Sequence, residues 1–316
     1  FRYLLHAARC LTIRDWKHLD KQPATIWLRK WIGEKGFQLL WQKLFLYKFY
    51  HFSEKISAAW IWSRIRRLGE SRKKLKETLG YLGKGSQQLI DALDLTIRAS
   101  GGKINLSSPV SKIQPKEGTG AALTTPKGIE EFDLVISTIP LPLVGQIFRS
   151  SQLEEDLIIK YENLTSIACA CVVLQTRIQI TNNFWTNVND PRFEIPGLIE
   201  ISNLRPISPY VSYIPFYMPE TNPEYLRSNE SFISDAWDCI KAINPLIKDE
   251  DLLASHCSRY RYAQPVCSVN FMQSLPQIEP LPGVFTVDTT AYYPEDRGIS
   301  ESIGFARSLV KKIIEQ

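Results

Sequence analysis

An acidic residue and a helix start lie close together near the end of the chain, and this pairing suits ligand binding. The β-branched run Val284–Val287 predicts a strand that ends at Asp288. A helix then opens at Gly298, and its first backbone N–H groups are free to bind a carbonyl or a phosphate. Apolar residues recur on this helix at intervals of three and four, so we predict that one face packs on a core: Ile299, Ile303, Ala306, Val310 and Ile313.

A second strand end is also suited to a ligand. The continuous apolar run Phe132–Thr138 stops at Ile139-Pro140-Leu141-Pro142, which predicts a strand buried on both faces of a parallel sheet. Open α/β sheets bind ligands at the carboxyl ends of such strands. The Gly-rich loop at 80–86 could also approach a ligand or form a plain turn. It matches neither a P-loop nor the three-glycine dinucleotide pattern.

Charge divides the chain into two regions. Residues 1–80 hold 18 Lys/Arg against 6 Asp/Glu, whereas residues 81–316 hold 20 against 27. Six of the eight Trp residues are in the first region. Basic and aromatic residues together suit nucleic acid, an anionic substrate or a membrane surface, but solvated Lys/Arg over a Trp-rich helical core is the simpler interpretation. The basic run Arg64–Lys76 is either anion-facing or, as we expect, a solvated helix end.

Cysteine usage indicates a reducing compartment. The six Cys residues show neither C-x-x-C spacing nor a His cluster around them, so no metal site is predicted. Cys169 and Cys171 alternate with Ala in an apolar run, which is typical of thiols on one face of a strand. No apolar run is long enough to span a membrane. We therefore expect a cytoplasmic protein that does not bind nucleic acid. Peripheral membrane contact and the oligomeric state stay open.

The order of elements predicts an α/β fold in four segments. Residues 1–79 form a helical cap, in which Ser53 is expected to begin a helix. Residues 80–150 hold a helix capped by Ser86, a small antiparallel meander that starts with Lys103–Leu106, and the buried strand. Residues 151–280 carry strands and one helix, which we interpret as a mixed-sheet substrate domain, and residues 281–316 hold the closing strand and helix.

The order of five motifs resembles that of the superfamily of flavin-containing amine oxidases and protoporphyrinogen oxidases. The likeness is greatest to its bacterial branch near UDP-galactopyranose mutase-like proteins. It covers nearly the whole chain, and the order of the motifs is more specific than any one of them. The motifs are Leu79–Gly85, Ser108–Ile113, Asp133–Pro140, Arg261–Pro265 and Tyr293–Ser302.

The resemblance implies FAD as cofactor, a small-molecule substrate and an oxidoreductase activity. In that superfamily an N-terminal βαβ unit with a three-glycine turn binds the adenosine half of FAD, and no such pattern occurs in these 316 residues. The implied fold is an incomplete FAD-binding Rossmann-like domain with a mixed-sheet substrate domain and a helical cap. Because the sequence starts at Phe1, we take it for a fragment that is inactive alone.

The resemblance also implies which residues contact the cofactor. Val110 would lie on the adenine side, and Asp288 would accept a hydrogen bond from FAD. The helix start would stabilise negative charge on the reduced ring. The implied cofactor contacts are Val110, Thr138, Pro140, Asp288, Gly298, Ile299 and Ser300. No catalytic acid or base is assigned, and the strand at 166–169, where many amine oxidases place a Lys, has none.

Three functions remain open at this stage. The first is an FAD-dependent oxidoreductase with its substrate between the flavin and the Trp/Tyr-rich domain. The second is a non-redox, flavin-dependent sugar-nucleotide mutase, in which the basic cap holds a pyrophosphate. The third is a truncated, non-catalytic remnant. A flavin spectrum, a bound nucleotide sugar or neither would distinguish them.

Overall fold

The structure is a computed structural model that describes residues 2–70, 72–73, 76–77 and 80–315. Lys74 of the basic run and Leu79 of the Gly-rich motif lie outside the described residues. The fold is α/β, as predicted: a helical cap, a region with a parallel strand pair, and a five-stranded sheet. None of the helices in the described ranges is both long enough and apolar enough to cross a bilayer.

The cap is built from helices around a Trp-rich core. Trp27 and Trp62 are almost fully buried in it. Ser53 does not begin a helix, because it lies within a short 3-10 helix that spans Tyr50–Lys55. The next helix starts at Ala58, and the Ser57 hydroxyl accepts a hydrogen bond from the Ala59 N–H there. The cap helices are α1 (Arg2–Thr12), α2 (Ala24–Ile32), α3 (Glu34–Phe37), α4 (Lys43–Phe49) and α5 (Ala58–Glu70), with a π-helical turn (Gln38–Gln42) between α3 and α4.

A short pair of strands and then a region of alternating helices and strands follow the cap helices. The three strands β3, β4 and β5 form the predicted antiparallel meander, but Lys103–Leu106 forms no strand. Ser86 is the first residue of its helix and its side chain makes no capping bond, because Gly85 with φ 75° takes the cap position. The elements are β1 (Arg72–Lys73), β2 (Lys76–Glu77), α6 (Ser86–Ala99), β3 (Lys112–Pro115), β4 (Ala121–Thr125), β5 (Gly128–Phe132), β6 (Val135–Ser137), α7 (Leu141–Ser150) and α8 (Glu155–Glu162).

The large sheet has the strand order β11-β7-β10-β9-β8 and is antiparallel throughout. The prediction of a mixed sheet was wrong, because every hydrogen-bonded pair is antiparallel. Strands β10 and β11 both run antiparallel to β7, which lies between them, and helix α9 connects them across one face. The other predicted strands and the helix are confirmed: β7 (Ser166–Thr176), β9 (Gly197–Glu200), β10 (Tyr210–Met218), α9 (Asn229–Ile243) and β11 (Leu252–Pro265). Strand β8 (Trp185–Asn187) was not predicted.

The two faces of this sheet have different neighbours. Along β7, every second residue packs with α9: Ala168, Ala170, Val172 and Leu174. The alternate residues point the other way. Cys169 lies between Tyr217 of β10 and Tyr260 of β11 in the strand register, and α4 of the cap packs against β10. The face with Cys169 is therefore directed towards the cap.

The chain closes with α10 (Phe271–Ser274), β12 (Val284–Thr286) and α11 (Ile299–Ile314). Strand β12 pairs in parallel with β6, which confirms the predicted parallel sheet. The prediction that β6 is buried on both faces was wrong, since Ile136 is 40% exposed. Within the described residues this sheet has only two strands, so one edge of β6 has no strand partner.

Helix α11 exists as predicted, but it packs through a different face. Phe305, Leu309 and Ile313 pack against Phe285 and Val287 of the closing strand. The predicted contacts Ile299, Ile303 and Val310 are instead 54%, 42% and 46% exposed. The spacing of apolar residues allows two apolar faces on this helix. Which of them is buried depends on the contacts with the rest of the fold.

The cap and the closing segment are joined by a buried polar cluster around Asp20. The Asp20 carboxylate accepts hydrogen bonds from the Tyr293 hydroxyl at 2.5 Å, the Ser57 hydroxyl at 3.2 Å and the Phe271 N–H at 3.3 Å. Burial and the Asp20 carboxylate raise the pKa of Tyr293. Tyr293 therefore stays a neutral hydrogen-bond donor across the physiological range.

We expect Tyr293→Phe to destabilise the protein by about 1–3 kcal/mol, because a buried carboxylate loses its shortest hydrogen bond. Chemical denaturation followed by circular dichroism measures this loss. Tyr292→Phe is the matched control, since the Tyr292 hydroxyl contacts Ser302 on the exposed side. Equal effects of the two substitutions would contradict a special role of the Asp20 cluster.

Candidate functional site

A cavity of about 460 Å³ lies at the carboxyl ends of the two parallel strands. This is the edge at which open α/β sheets bind ligands. Most of its lining is apolar, with few polar groups, which is the usual make-up of a cofactor or small-molecule site. Helix α11, strand β11 and the segment after β12 complete its walls. Its lining includes Thr138, Pro140, Asp288, Arg297, Phe305 and Leu309.

Asp288 at the end of β12 is held by three hydrogen bonds within the chain. Its carboxylate accepts the Leu141 N–H at 3.0 Å, the Thr290 N–H at 2.8 Å and the Thr290 hydroxyl at 2.6 Å. Leu141 is the first residue of α7, which follows β6 directly. The carboxylate thus joins the ends of both parallel strands. A carboxylate has about four lone-pair sites, so about one remains for a ligand.

Among the described residues, Arg297 is the one basic residue that lines this cavity. Its guanidinium lies near the Tyr217 hydroxyl of β10, where it partly offsets the burial that raises the pKa of Tyr217. Arg297 immediately precedes Gly298, the residue before helix α11. The charge of Arg297 therefore lines the cavity and favours an anionic group there, and it directly precedes the start of helix α11.

The neighbouring Asp296 is buried and pairs with two arginines of α5. Its carboxylate lies 2.8 Å from Arg64 Nη1 and 3.6 Å from Arg67 Nη2. The Arg64 guanidinium also lies 4.4 Å from the ring centre of Trp60. The prediction that the basic run is solvated was wrong for Arg64, because this side chain turns inward to a carboxylate 232 residues further along the chain.

Lys48 of α4 is a buried cation behind this cavity. Its side chain is 5% exposed, and its Nζ lies 5.1 to 5.7 Å from the ring centres of Tyr217, Trp60 and Phe49. Burial, with the nearby charges of Arg64 and Arg297, lowers the pKa of Lys48 well below its usual value. The amine is therefore much less protonated in the folded chain than an exposed lysine would be.

A second cavity, of about 450 Å³, adjoins the first. The two share Ser166 at the start of β7 and Tyr262 of β11. The second cavity is bounded by the cap, α7 and the large sheet, and its lining includes an ion pair in which Arg261 Nε lies 2.8 Å from Glu220 Oε1. Two adjoining cavities allow a cofactor ring and a substrate to meet at the wall they share.

The structure brings some of the predicted site residues together and leaves others apart. Thr138, Pro140 and Asp288 all line the first cavity. Four predicted residues are not part of its lining: Val110, Gly298, Ile299 and Ser300. Gly298 has an extended backbone with φ −156°, which any residue adopts, and a side chain there would meet the Glu301 carboxylate. Its place at the helix start therefore does not require glycine conformation.

Sequence reasoning missed several residues around the cavity. Arg297 stands inside the motif Tyr293–Ser302, and its position between an acid and a helix start could have identified it. Lys48 and Tyr217 gave no such signal, because each is one polar residue in an aromatic segment. Their proximity depends on how the cap packs against β10.

The cavity lies at the carboxyl end of a parallel strand pair, and an antiparallel sheet and a helical cap lie beside it. This arrangement is typical of a cofactor-dependent enzyme. The model of the family described as "Flavin containing amine oxidoreductase" matches residues 5–255. The chain therefore belongs to the family of flavin-containing amine oxidoreductases, and its cofactor is a flavin. No curated protein sequence matches the chain.

Solved structures with the same fold are distant in sequence. A putative protoporphyrinogen oxidase from Exiguobacterium is 18% identical with a TM-score of 0.71, and the match covers 99% of this chain and 72% of that one. Reduced UDP-galactopyranose mutase is 15% identical with a TM-score of 0.63, with 84% and 60% covered. Cyclohexylamine oxidase from Brevibacterium oxydans is 14% identical with a TM-score of 0.58, with 89% and 65% covered. The chain thus spans less than two thirds of the last two structures.

The residues of the first cavity fit a flavin ring. Phe305, Leu309 and Val287 give apolar walls for a flat aromatic ring, and Arg297 gives a positive charge at one side. A flavin gains electrons on reduction, so a nearby cation and a helix start stabilise its reduced form. The cavity volume is within the range of common cofactor pockets, about 300–1,000 Å³.

Proposed function

We propose that the protein is an FAD-dependent oxidoreductase that oxidises a small molecule. The observation that carries this proposal is the apolar cavity at the carboxyl ends of β6 and β12, with Arg297 and Asp288 in its wall. The flavin ring occupies this cavity, and the substrate binds in the adjoining cavity across Ser166 and Tyr262. When bound, a flavin supplies the two-electron chemistry.

The residues of the chain bind the ring, orient it and tune its charge. Thr138 and Pro140 would hold the ring, Asp288 fixes the two strand ends at the cavity, and the apolar side chains of α11 would exclude water. Arg297 holds negative charge at the reduced ring. We also propose that Gly298, Ile299 and Ser300 contact FAD through the helix start. Val110 would contact FAD on its adenine side.

The proposed division of the chain follows these roles. Residues 1–79 are the helical cap, 80–150 and 281–316 are the FAD-domain segments, and 151–280 are the substrate domain. The six Cys residues, all free thiols in the structure, support a place in the cytoplasm. The mutase alternative receives less support, since it needs free cap cations for a pyrophosphate, and Arg64 and Arg67 both contact Asp296.

The proposal is tested on the purified full-length protein by its absorbance spectrum and by anaerobic reduction. We expect flavin absorption bands that bleach when a small amine substrate is added and return with an electron acceptor. A flavin that stays oxidised with every amine tried, together with a bound nucleotide sugar, would favour the mutase. A protein without flavin bands that takes up no added FAD would contradict both.

We expect Arg297→Met to make the flavin harder to reduce and to slow substrate-dependent reduction by about 10- to 100-fold, as for the loss of one charge-stabilising group. The midpoint potential, measured by dye equilibration, should become more negative, because the reduced ring loses a neighbouring cation. Arg307→Met is the matched control, since Arg307 is an exposed arginine of α11 outside the lining of this cavity. An unchanged potential in Arg297→Met would exclude the proposed role.

A further inference from the structure

Helix α1 leaves leucines exposed although its other side packs in the cap through Tyr3, His6, Ala7 and Cys10. Leu4, Leu5 and Leu11 are 64%, 56% and 46% exposed, and Ala8 is exposed between them. The spacing of these four residues places them on one side of the helix. We call this side the leucine face. A surface helix in water usually carries polar and charged residues on its outer side.

The orientation of α1 is fixed by its inner side. His6 is buried, packs edge-on against Trp27 and stacks on Trp31, and Cys10 is buried with its carbonyl bound to the Trp62 indole N–H at 2.9 Å. Arg9 lies 3.9 Å above the ring of Trp31. Burial, with Arg9 nearby, lowers the pKa of His6 to about 4, so this side chain stays neutral inside the cap. Rotating α1 to bury its leucines would expose all of these contacts.

Exposed basic residues follow the leucine face along the chain. Arg14, Lys17 and Lys21 follow the helix within ten residues, and all three are exposed. Asp15 is the single exposed acid in this stretch, and it accepts the Lys17 N–H. On the adjacent helix α2, Ile26 is 60% exposed, with exposed Lys30 one turn later. Aliphatic residues among cations are the composition of a peripheral membrane-binding surface.

We propose that the leucine face docks on an anionic lipid bilayer, with Leu4, Leu5 and Leu11 in the headgroup region and the flanking cations against lipid phosphates. Charge favours this occupant over a second copy of the chain. Residues 1–80 carry 18 Lys/Arg against 6 Asp/Glu, so two such caps face to face would repel each other. The proposal does not depend on the flavin chemistry.

The test is co-sedimentation of the purified protein with vesicles. One set is phosphatidylcholine, and the other contains phosphatidylglycerol as about a third of its lipid. We expect binding to the anionic vesicles, weak binding to the neutral ones, and a fall in binding as salt is raised. Leu4→Gln/Leu5→Gln should lower the partition coefficient by roughly tenfold through loss of inserted apolar surface.

Matched controls separate this surface from apolar exposure in general. Leu226 and Leu246 lie outside the cap and are 83% and 79% exposed, so Leu226→Gln/Leu246→Gln should bind vesicles like the unmodified protein. Arg14→Gln/Lys17→Gln should reduce binding to anionic vesicles and its salt dependence. Circular dichroism and thermal unfolding should be unchanged, since all of these side chains are exposed.

Three results would overturn the proposal. The first is absence of sedimentation with anionic vesicles. The second is an equal loss of binding in the two leucine pairs. The third is a dimer, seen by analytical ultracentrifugation without lipid, that Leu4→Gln/Leu5→Gln converts to monomer, because the leucine face would then be an interface between copies of the chain.

Discussion

Asp288→Ala is expected to lower both the stability of the fold and its affinity for flavin. The substitution removes the acceptor of the Leu141 N–H, the Thr290 N–H and the Thr290 hydroxyl at once. Hydrogen bonds to an ionised group contribute about 1.5–3 kcal/mol each, but the freed donors partly regain water, so we expect a total loss of about 2–4 kcal/mol. Flavin affinity should fall further, because the ends of β6 and β12 separate beside the ring.

Two measurements distinguish the structural effect from the cofactor effect. Denaturation in the absence of flavin gives the loss of stability, and FAD titration, normalised to the folded fraction from circular dichroism, gives the affinity. Asp288→Asn keeps one acceptor oxygen and should lie between the unmodified protein and Asp288→Ala. Asp133→Ala is the control, since Asp133 lies just before strand β6 and its side chain is 96% exposed. Normal FAD affinity in folded Asp288→Ala would remove the cofactor role of this residue.

The local elements near the site could be predicted because short-range patterns determine them. The β-branched run before Asp288 and the apolar run before Pro140 each give a strand, and the structure pairs the two in parallel. The helix after Gly298 follows from its apolar periodicity. The sequence did not predict which face of this helix packs, because Leu309 and Val310 are equally apolar neighbours. Only the contact of Leu309 with Phe285 distinguishes the two residues.

The polar interior around the cavity could not be predicted from sequence. Arg64 was expected to be solvated, but in the structure it meets Asp296 and Trp60, which requires the cap and the closing segment to be adjacent. Similarly, the Asp288 carboxylate was expected to bind a cofactor, and its bond to the Leu141 N–H appears only when two distant strand ends meet. Long-range polar pairs have no periodic signature along the chain.

Lys48 makes the stability of the protein depend on pH in alkaline solution. The groups that face its amine come from four other elements: Arg64 of α5, Asp296 and Arg297 of the closing segment, Cys169 of β7 and Tyr217 of β10. Because burial lowers the pKa of Lys48 in the folded chain, the unfolded chain binds more protons between that pKa and about 10.4. Stability should therefore rise with pH across this window, by up to about 1.4 kcal/mol per pH unit.

Lys48→Met is expected to stabilise the protein at neutral pH by about 1–3 kcal/mol, since it replaces a buried amine with an apolar chain of similar length against Phe49, Trp60 and Tyr217. The gain should be largest at low and neutral pH and should vanish as pH approaches 10.4, roughly where an unfolded lysine loses its charge. Denaturation at a series of pH values measures it. Lys55→Met, at an exposed lysine of the same cap, should show neither the gain nor the pH dependence. If Lys48→Met is instead the less stable protein at neutral pH, the amine is charged in the fold and the three rings together with Asp296 stabilise it.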